Sequence, residues 1–150
     1  ECLLGHGDRA YAYLRAAMPA AYNTRAEVRQ CEPYVQAQTT YSIFSPRAGN
    51  TRTSWLTGAA AWFYYSATQY ILGIQPQQDG LRVDPCIPST WDGYSVHREF
   101  RGCTIDIWVH NPHHVCKGVK RMVLNGGEMS VNLLPIHRLE QTNQVEVWLG

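Results

Sequence analysis

Apolar and polar positions change their period once along this chain. In the first half, Leu3, Leu4, Tyr11 and Leu14 recur at helical spacing. They predict an amphipathic helix from about Gly7 to Ala17, stopped by Pro19. A longer helical pattern runs through Trp55, Leu56, Ala59, Trp62, Phe63 and Tyr65 to Leu72. Thr53 or Ser54 is its expected N-cap, and Gly73 stands where a C-terminal glycine belongs. Its apolar residues surround most of the circumference, which predicts a buried helix. Residues 21–50 show neither period and are rich in Tyr, Thr and Gln. So long an irregular stretch is uncommon in a compact domain unless it lines a functional site. Within it, Tyr34 to Gln38 is expected to form a short helical turn after Pro33.

From Leu81 onward the period is two. Cys103, Ile105, Ile107 and Val109 alternate with Thr104, Asp106, Trp108 and His110, as in a half-buried strand. Val119 to Leu124 followed by Asn125-Gly126 predicts a strand entering a tight hairpin. Val145, Val147 and Leu149 predict a last strand. Helices followed by strands imply two layers or domains, divided near Gly73 to Gly80. The expected domains are residues 1–75 and 76–150, the second a small antiparallel β-sandwich or jelly roll. A helix apolar all round needs more helices than this chain supplies, and the chain opens on Glu1 rather than Met. Both features suggest a piece of a longer protein.

Charge narrows the functional classes. Charged residues make up 17% of the 150 residues and the net charge is +1, with the basic residues scattered. That offers no nucleic-acid footprint and no polybasic membrane patch. The longest apolar run, Ala59 to Tyr65, is far short of a membrane span. No apolar signal core follows Glu1, so a cytoplasmic location is expected. The five cysteines are odd in number and lack Cys-x-x-Cys spacing, which favours free thiols in a reducing compartment. His113, His114 and Cys116 are close in sequence but follow Pro112 in an expected loop, so no metal and no cofactor are predicted.

Three groups of residues could carry chemistry. Thr53 to Gly58 opens the expected second helix, where free N–H groups and the positive dipole end suit an anion. Thr57 adds a hydroxyl, Gly58 allows close approach, and Arg47 and Arg52 lie just upstream. Taken alone, these residues fit an ordinary capped helix somewhat better. Glu32, Tyr34 and Gln38 could line a sugar pocket, or could pair and pack locally, with nothing to choose between the two. Asp79, Asp84 and Asp92 each adjoin Gly or Pro and are better explained as turn residues than as a catalytic pair. No Ser-His-Asp order and no phosphate-cradling glycine loop is present.

Longer runs decide the matter. Thr40-Tyr41-Ser42, then Ser45-Pro46-Arg47-Ala48-Gly49-Asn50 through Thr53-Ser54-Trp55-Leu56-Thr57-Gly58, resemble the chitobiose/cellobiose phosphorylase family of inverting glycoside phosphorylases. So do Gly5-His6-Gly7-Asp8-Arg9-Ala10, Glu32-Pro33-Tyr34-Val35, Ala67-Thr68-Gln69-Tyr70-Ile71-Leu72-Gly73, Asp84-Pro85-Cys86-Ile87-Pro88 and Trp91-Asp92-Gly93-Tyr94. The Ser45 to Asn50 run is more similar to the chitobiose branch. The resemblance implies the last helices of an (α/α)6 barrel followed by a C-terminal β-sheet domain. It implies phosphate binding by Gln38, Thr57 and Gly58, with Glu32, Tyr34, Arg47 and Arg52 as further pocket candidates. The family's catalytic Asp and its phosphate Arg and His lie further upstream and have no counterpart here, so the chain alone is expected to be inactive.

The implied activity is phosphorolysis of N,N′-diacetylchitobiose to N-acetyl-α-glucosamine 1-phosphate and N-acetylglucosamine, with inversion. The partners would be the disaccharide and inorganic phosphate as co-substrate, in a homodimer. Cellobiose or cellodextrin phosphorolysis is the near alternative. A non-catalytic carbohydrate-binding or structural β domain is the alternative of another class.

Overall fold

The computed structural model describes the backbone of residues 1–150 and every side chain except that of residue 23. Helices α1 (Gly7–Ala17), α2 (Ala26–Arg29) and α3 (Ala59–Tyr65) fall in the first half with the hairpin strands β1 (Ala37–Thr40) and β2 (Thr51–Ser54). Eight strands follow: β3 (Ile74–Pro76), β4 (Gly80–Val83), β5 (Gly93–Phe100), β6 (Cys103–His110), β7 (Val119–Leu124), β8 (Gly127–Met129), β9 (Leu133–Pro135) and β10 (Thr142–Leu149). The chain is thus mixed helix and sheet, with its α-helices and one hairpin in the first half and mostly antiparallel sheets after them. It forms two compact units: Glu1–Tyr11 with Ala67–Gly150, and Ala12–Ser66.

The first unit holds two sheets, ordered β5-β6-β10-β7-β8 and β3-β4-β9. Alternation places Ile105, Ile107, Val109, Val145, Val147 and Leu149 on one face of the larger sheet, each at most 2% exposed. Leu81, Val83 and Leu134 of the smaller sheet are fully buried. Burial of side chains of this size contributes on the order of 1.5–3 kcal/mol each. β6 and β10 pair in parallel, an exception to the expected antiparallel pattern. A parallel pair needs a long crossover, and residues 111–141 supply it. Asn125 and Gly126 adopt φ of 48° and 80°, the tight turn their sequence predicts between β7 and β8.

Two of the sequence runs meet within this unit. A Cβ on Gly7 would lie 2.1 Å from the Ile87 carbonyl oxygen, so only glycine permits this approach. The Asp8 carboxylate accepts bonds from the Ser89 backbone N–H at 2.8 Å and from its hydroxyl at 3.0–3.1 Å. These bonds, the backbone one first, hold the Asp8 carboxyl below its usual range. Burial, aided by neighbouring Cys2, pushes the Cys86 thiol up to about 12. Tyr94 donates its hydroxyl to the Leu72 carbonyl, and burial raises its phenol well above the ordinary value. Asp84 pairs with Lys117 at 2.9 Å rather than serving only a turn. The five cysteines are free.

The second unit has a polar nucleus. Arg29, 8% exposed, donates to the carbonyls of Glu32 and Val35. Thr51 donates to the Arg29 carbonyl at 2.8 Å, and Asn50 to Gln30 Oε1 at 2.8 Å. These bonds tie α2 to the β1–β2 hairpin. Val35 and Pro19 are buried apolar side chains of this unit.

α1 has the bounds its pattern predicts; two expectations in the second unit do not hold. The second helix begins at Ala59, not after Thr53 or Ser54, because β1 pairing claims residues 51–54. Thr53 and Trp55 also take positive φ (57° and 67°), which a right-handed helix cannot include. Residues 66–71 extend α3 as a π-helical turn, and Gly73 then takes φ 67°. No residue of α3 is buried, and Trp62 is 71% exposed. Its apolar circumference therefore lies open, as expected of a helix that needs more helices around it than this chain supplies. Finally, Ala37 to Thr40 forms a strand where Tyr34 to Gln38 was expected to turn helically, since cross-strand bonds to β2 outweigh a short helical nucleus.

Candidate functional site

Glu32, Tyr34, Gln38, Arg47, Arg52, Thr57 and Gly58 all lie in the second unit. The hairpin register pairs Ala37 with Ser54 and Thr39 with Arg52, which leaves Gln38 opposite Thr53. Gln38 sits one residue from the end of the hairpin at which the chain leaves β2 towards Thr57 and Gly58. That register brings Gln38 and the start of α3 to the same end of the hairpin. Gln38 is exposed, and its amide has no protein partner among the described residues.

At the start of α3, Thr57 Oγ1 accepts the Ala59 N–H at 3.1 Å. Its own proton stays available to an external oxygen. Gly58 is exposed at the N-cap, with φ −74° and ψ −5°. Any residue adopts that backbone, and a Cβ there would find nothing within 4 Å. Neither a positive φ nor close packing within this chain requires glycine at 58, although glycine is a favoured N-cap. The positive φ of Thr53 and Trp55 adds strained backbone to the same segment, and such strain concentrates at functional sites.

Glu32 and Tyr34 gather around a residue that the sequence pattern assigned to the helix core. Trp55 Nε1 donates to Glu32 Oε1 at 2.9 Å, and the Tyr34 and Trp55 rings meet edge to face at 6.0 Å. Both rings are at least two-thirds exposed. Glu32 is held below its usual carboxylate range by its own backbone N–H first, then by Trp55 and Cys31. The cluster offers an ionised carboxylate between aromatic faces. The sequence offered Glu32 and Tyr34 but not Trp55, which helical periodicity places inside the second helix.

Arg47 and Arg52 also come together, but elsewhere. With Val28, Gln30 and Asn50 they line an open depression of about 430 Å³. Gln38, Thr57 and Gly58 do not line it. Another depression, of about 540 Å³, is lined by Tyr22, Arg25, Gln36, Thr40 and Tyr41 among others, and takes in none of the predicted residues. The arrangement thus has three parts: an amide, a hydroxyl and open backbone N–H groups at one hairpin end, an acidic aromatic cluster, and an arginine pair.

In the other unit, Asp92 is exposed and 3.8 Å from His114, while Asp84 is held by Lys117. His114 also bonds the Ser89 carbonyl, and Cys116 bonds Asp8. These groups serve separate local contacts.

Residues 1–73 match the family profile of the glycosyl hydrolase 94 superfamily catalytic domain. Residues 74–115 match that of the C-terminal domain of glycosyl hydrolase family 65. Over its full 150 residues the chain is 43% identical to an N,N′-diacetylchitobiose phosphorylase of Vibrio proteolyticus, covering 19% of that protein. It is 40% identical over its full length to one of Vibrio furnissii, covering 18%. It is 33% identical, over 98% of its length, to a solabiose phosphorylase of Paenibacillus borealis, covering 19%. The chain spans about a fifth of the length of these curated relatives.

Proposed function

We propose that this chain, which belongs to the glycosyl hydrolase 94 superfamily, supplies one wall of the phosphate site of an inverting disaccharide phosphorylase. Gln38, Thr57 and Gly58 are the residues that would hold the phosphate. The observation that carries this reading is Gly58, exposed at an open N-cap with no heavy atom within 4 Å of a Cβ placed there, beside a hydroxyl with a free proton. An oxyanion accepting the backbone N–H groups there would use the space that a side chain would fill.

The chemistry needs no base from this chain. An inverting hydrolase uses one carboxyl to protonate the leaving oxygen and another to activate water. Phosphate is already an anionic nucleophile, so it needs positioning and charge compensation instead. A phosphate oxygen attacks the anomeric carbon as the glycosidic C–O bond breaks. A carboxyl acid from the remainder of the protein gives its proton to the departing oxygen. The β-linked sugar leaves as an α-sugar 1-phosphate. In this reading residues 1–75 complete an (α/α)6 barrel and residues 76–150 form the β domain that follows it. The intact protein would work as a cytoplasmic homodimer.

N,N′-diacetylchitobiose is the proposed disaccharide. Relatives named for it share 43% and 40% identity with this chain, against 33% for the solabiose enzyme. Phosphorus NMR on the intact protein tests the proposal, with phosphate plus chitobiose or, separately, cellobiose. A new sugar 1-phosphate resonance from chitobiose alone is expected. A resonance from cellobiose alone would move the substrate, and none from any disaccharide would remove the phosphate reading.

A further inference from the structure

The five-stranded sheet has a second face. Its inner face is the apolar core, while the outer face carries the alternate residues of β5, β6 and β10. Trp108 stands near the middle of that face and is 38% exposed. The register sets it opposite Ser95 on β5 and Glu146 on β10. Serine is too small to cover an indole, so the ring is open on the β5 side.

Two imidazole–carboxylate pairs flank it. His97 Nδ1 lies 2.6 Å from Asp106 Oδ1, and His110 Nε2 lies 2.6 Å from Glu146 Oε2. Each pair fixes the orientation of one ring and one carboxylate, and leaves each a further polar atom to bond outward. His110 also stacks on Trp148 at 5.1 Å, and Arg121 lies over the same indole at 4.7 Å. Arg121 is in turn bonded to Glu128 at 3.1 Å. Asp106, Glu146 and Glu128 are thus each engaged by a neighbouring side chain, and Glu99 shares the outer face. Such a surface disfavours an anionic ligand, and it surrounds an aromatic plane with oriented donors and acceptors. That combination suits a neutral, polyhydroxylated ligand.

We propose that the outer face of this sheet, centred on Trp108, is a non-catalytic binding site for a neutral β-linked oligosaccharide. A sugar ring stacks on Trp108, and its hydroxyls bond the two imidazole–carboxylate pairs. The site lies in the unit that contains neither Gln38 nor Thr57, and it needs no phosphate.

Affinity electrophoresis of the intact protein tests it, through gels containing a soluble β-1,4-glucan or glycol chitin. Tryptophan fluorescence titrations with cellotetraose and the N-acetylglucosamine tetramer give affinities. Wild type is expected to be retarded by one or both polymers. Trp108→Ala should weaken saccharide affinity about tenfold while Trp108→Phe retains most of it, as loss and retention of an aromatic face require. Phosphorolysis kinetics should be the same in all three proteins, which separates this site from the phosphate reading. A wild type that neither gel retards, or a Trp108→Ala protein that binds as wild type does, would overturn the proposal.

Discussion

Gly58→Ala adds one methyl group at a point where the chain itself leaves room. The new Cβ meets no heavy atom within 4 Å, and φ −74° with ψ −5° suits alanine. Alanine is a poorer N-cap than glycine but lowers the entropy of the unfolded chain, so the net stability change should stay within about 1 kcal/mol. A phosphate oxygen drawn to the same N–H groups would meet the methyl. Loss of one charge-assisted hydrogen bond costs about 1.5–3 kcal/mol. At about 1.4 kcal/mol per factor of ten, kcat/KM for phosphate should fall roughly 10- to 150-fold. The assay is initial-rate phosphorolysis by the intact protein across a phosphate series, with Tm measured alongside. Changes in kcat/KM within about twofold would refute the placement of phosphate at Gly58. So would a drop in Tm large enough to explain the lost rate.

Thr57→Ala removes a hydroxyl donor and the 3.1 Å bond to Ala59 N–H, so it should cost about as much phosphate kcat/KM as Gly58→Ala. Thr57→Ser should restore most of it, and a serine variant as impaired as alanine would point to packing instead. Asp8 titrates lower folded than unfolded because Ser89 donates to its carboxylate. The stability it contributes is complete above the unfolded carboxylate pKa and disappears as pH falls through the lower folded value. Thermal melts of wild type and Asp8→Asn from neutral to acid pH should therefore converge as the solution is acidified. A gap that stays constant across that range would count against an ionised Asp8.

The sequence points to Gln38, Thr57 and Gly58 only through their resemblance to family runs. Their physical setting was not legible. Helical periodicity assigned Thr53 to Trp55 to the opening of a helix, since Trp55, Leu56 and Ala59 continue the pattern of Trp62 and Phe63. Pairing of residues 51–54 with β1 is a contact between segments more than ten residues apart, which a local period cannot report. Arg47 and Arg52 read as neighbours of Thr57 because they are near it in sequence, yet they face a depression with Gln30 and Asn50.

The sequence by itself determined the change from helical to strand period past Gly73, the bounds of α1, the Asn125-Gly126 turn and the alternation of β6. Each follows from steric and hydrophobic rules acting over a few residues. Tertiary structure decided what depends on distant partners. It set β10 parallel to β6, locked Gly7 and Asp8 against residues 87–89, and gathered Trp55 to Glu32 across 23 positions. Such contacts arise when loop closure is repaid by hydrogen bonds and burial between remote segments, and no local pattern records that balance.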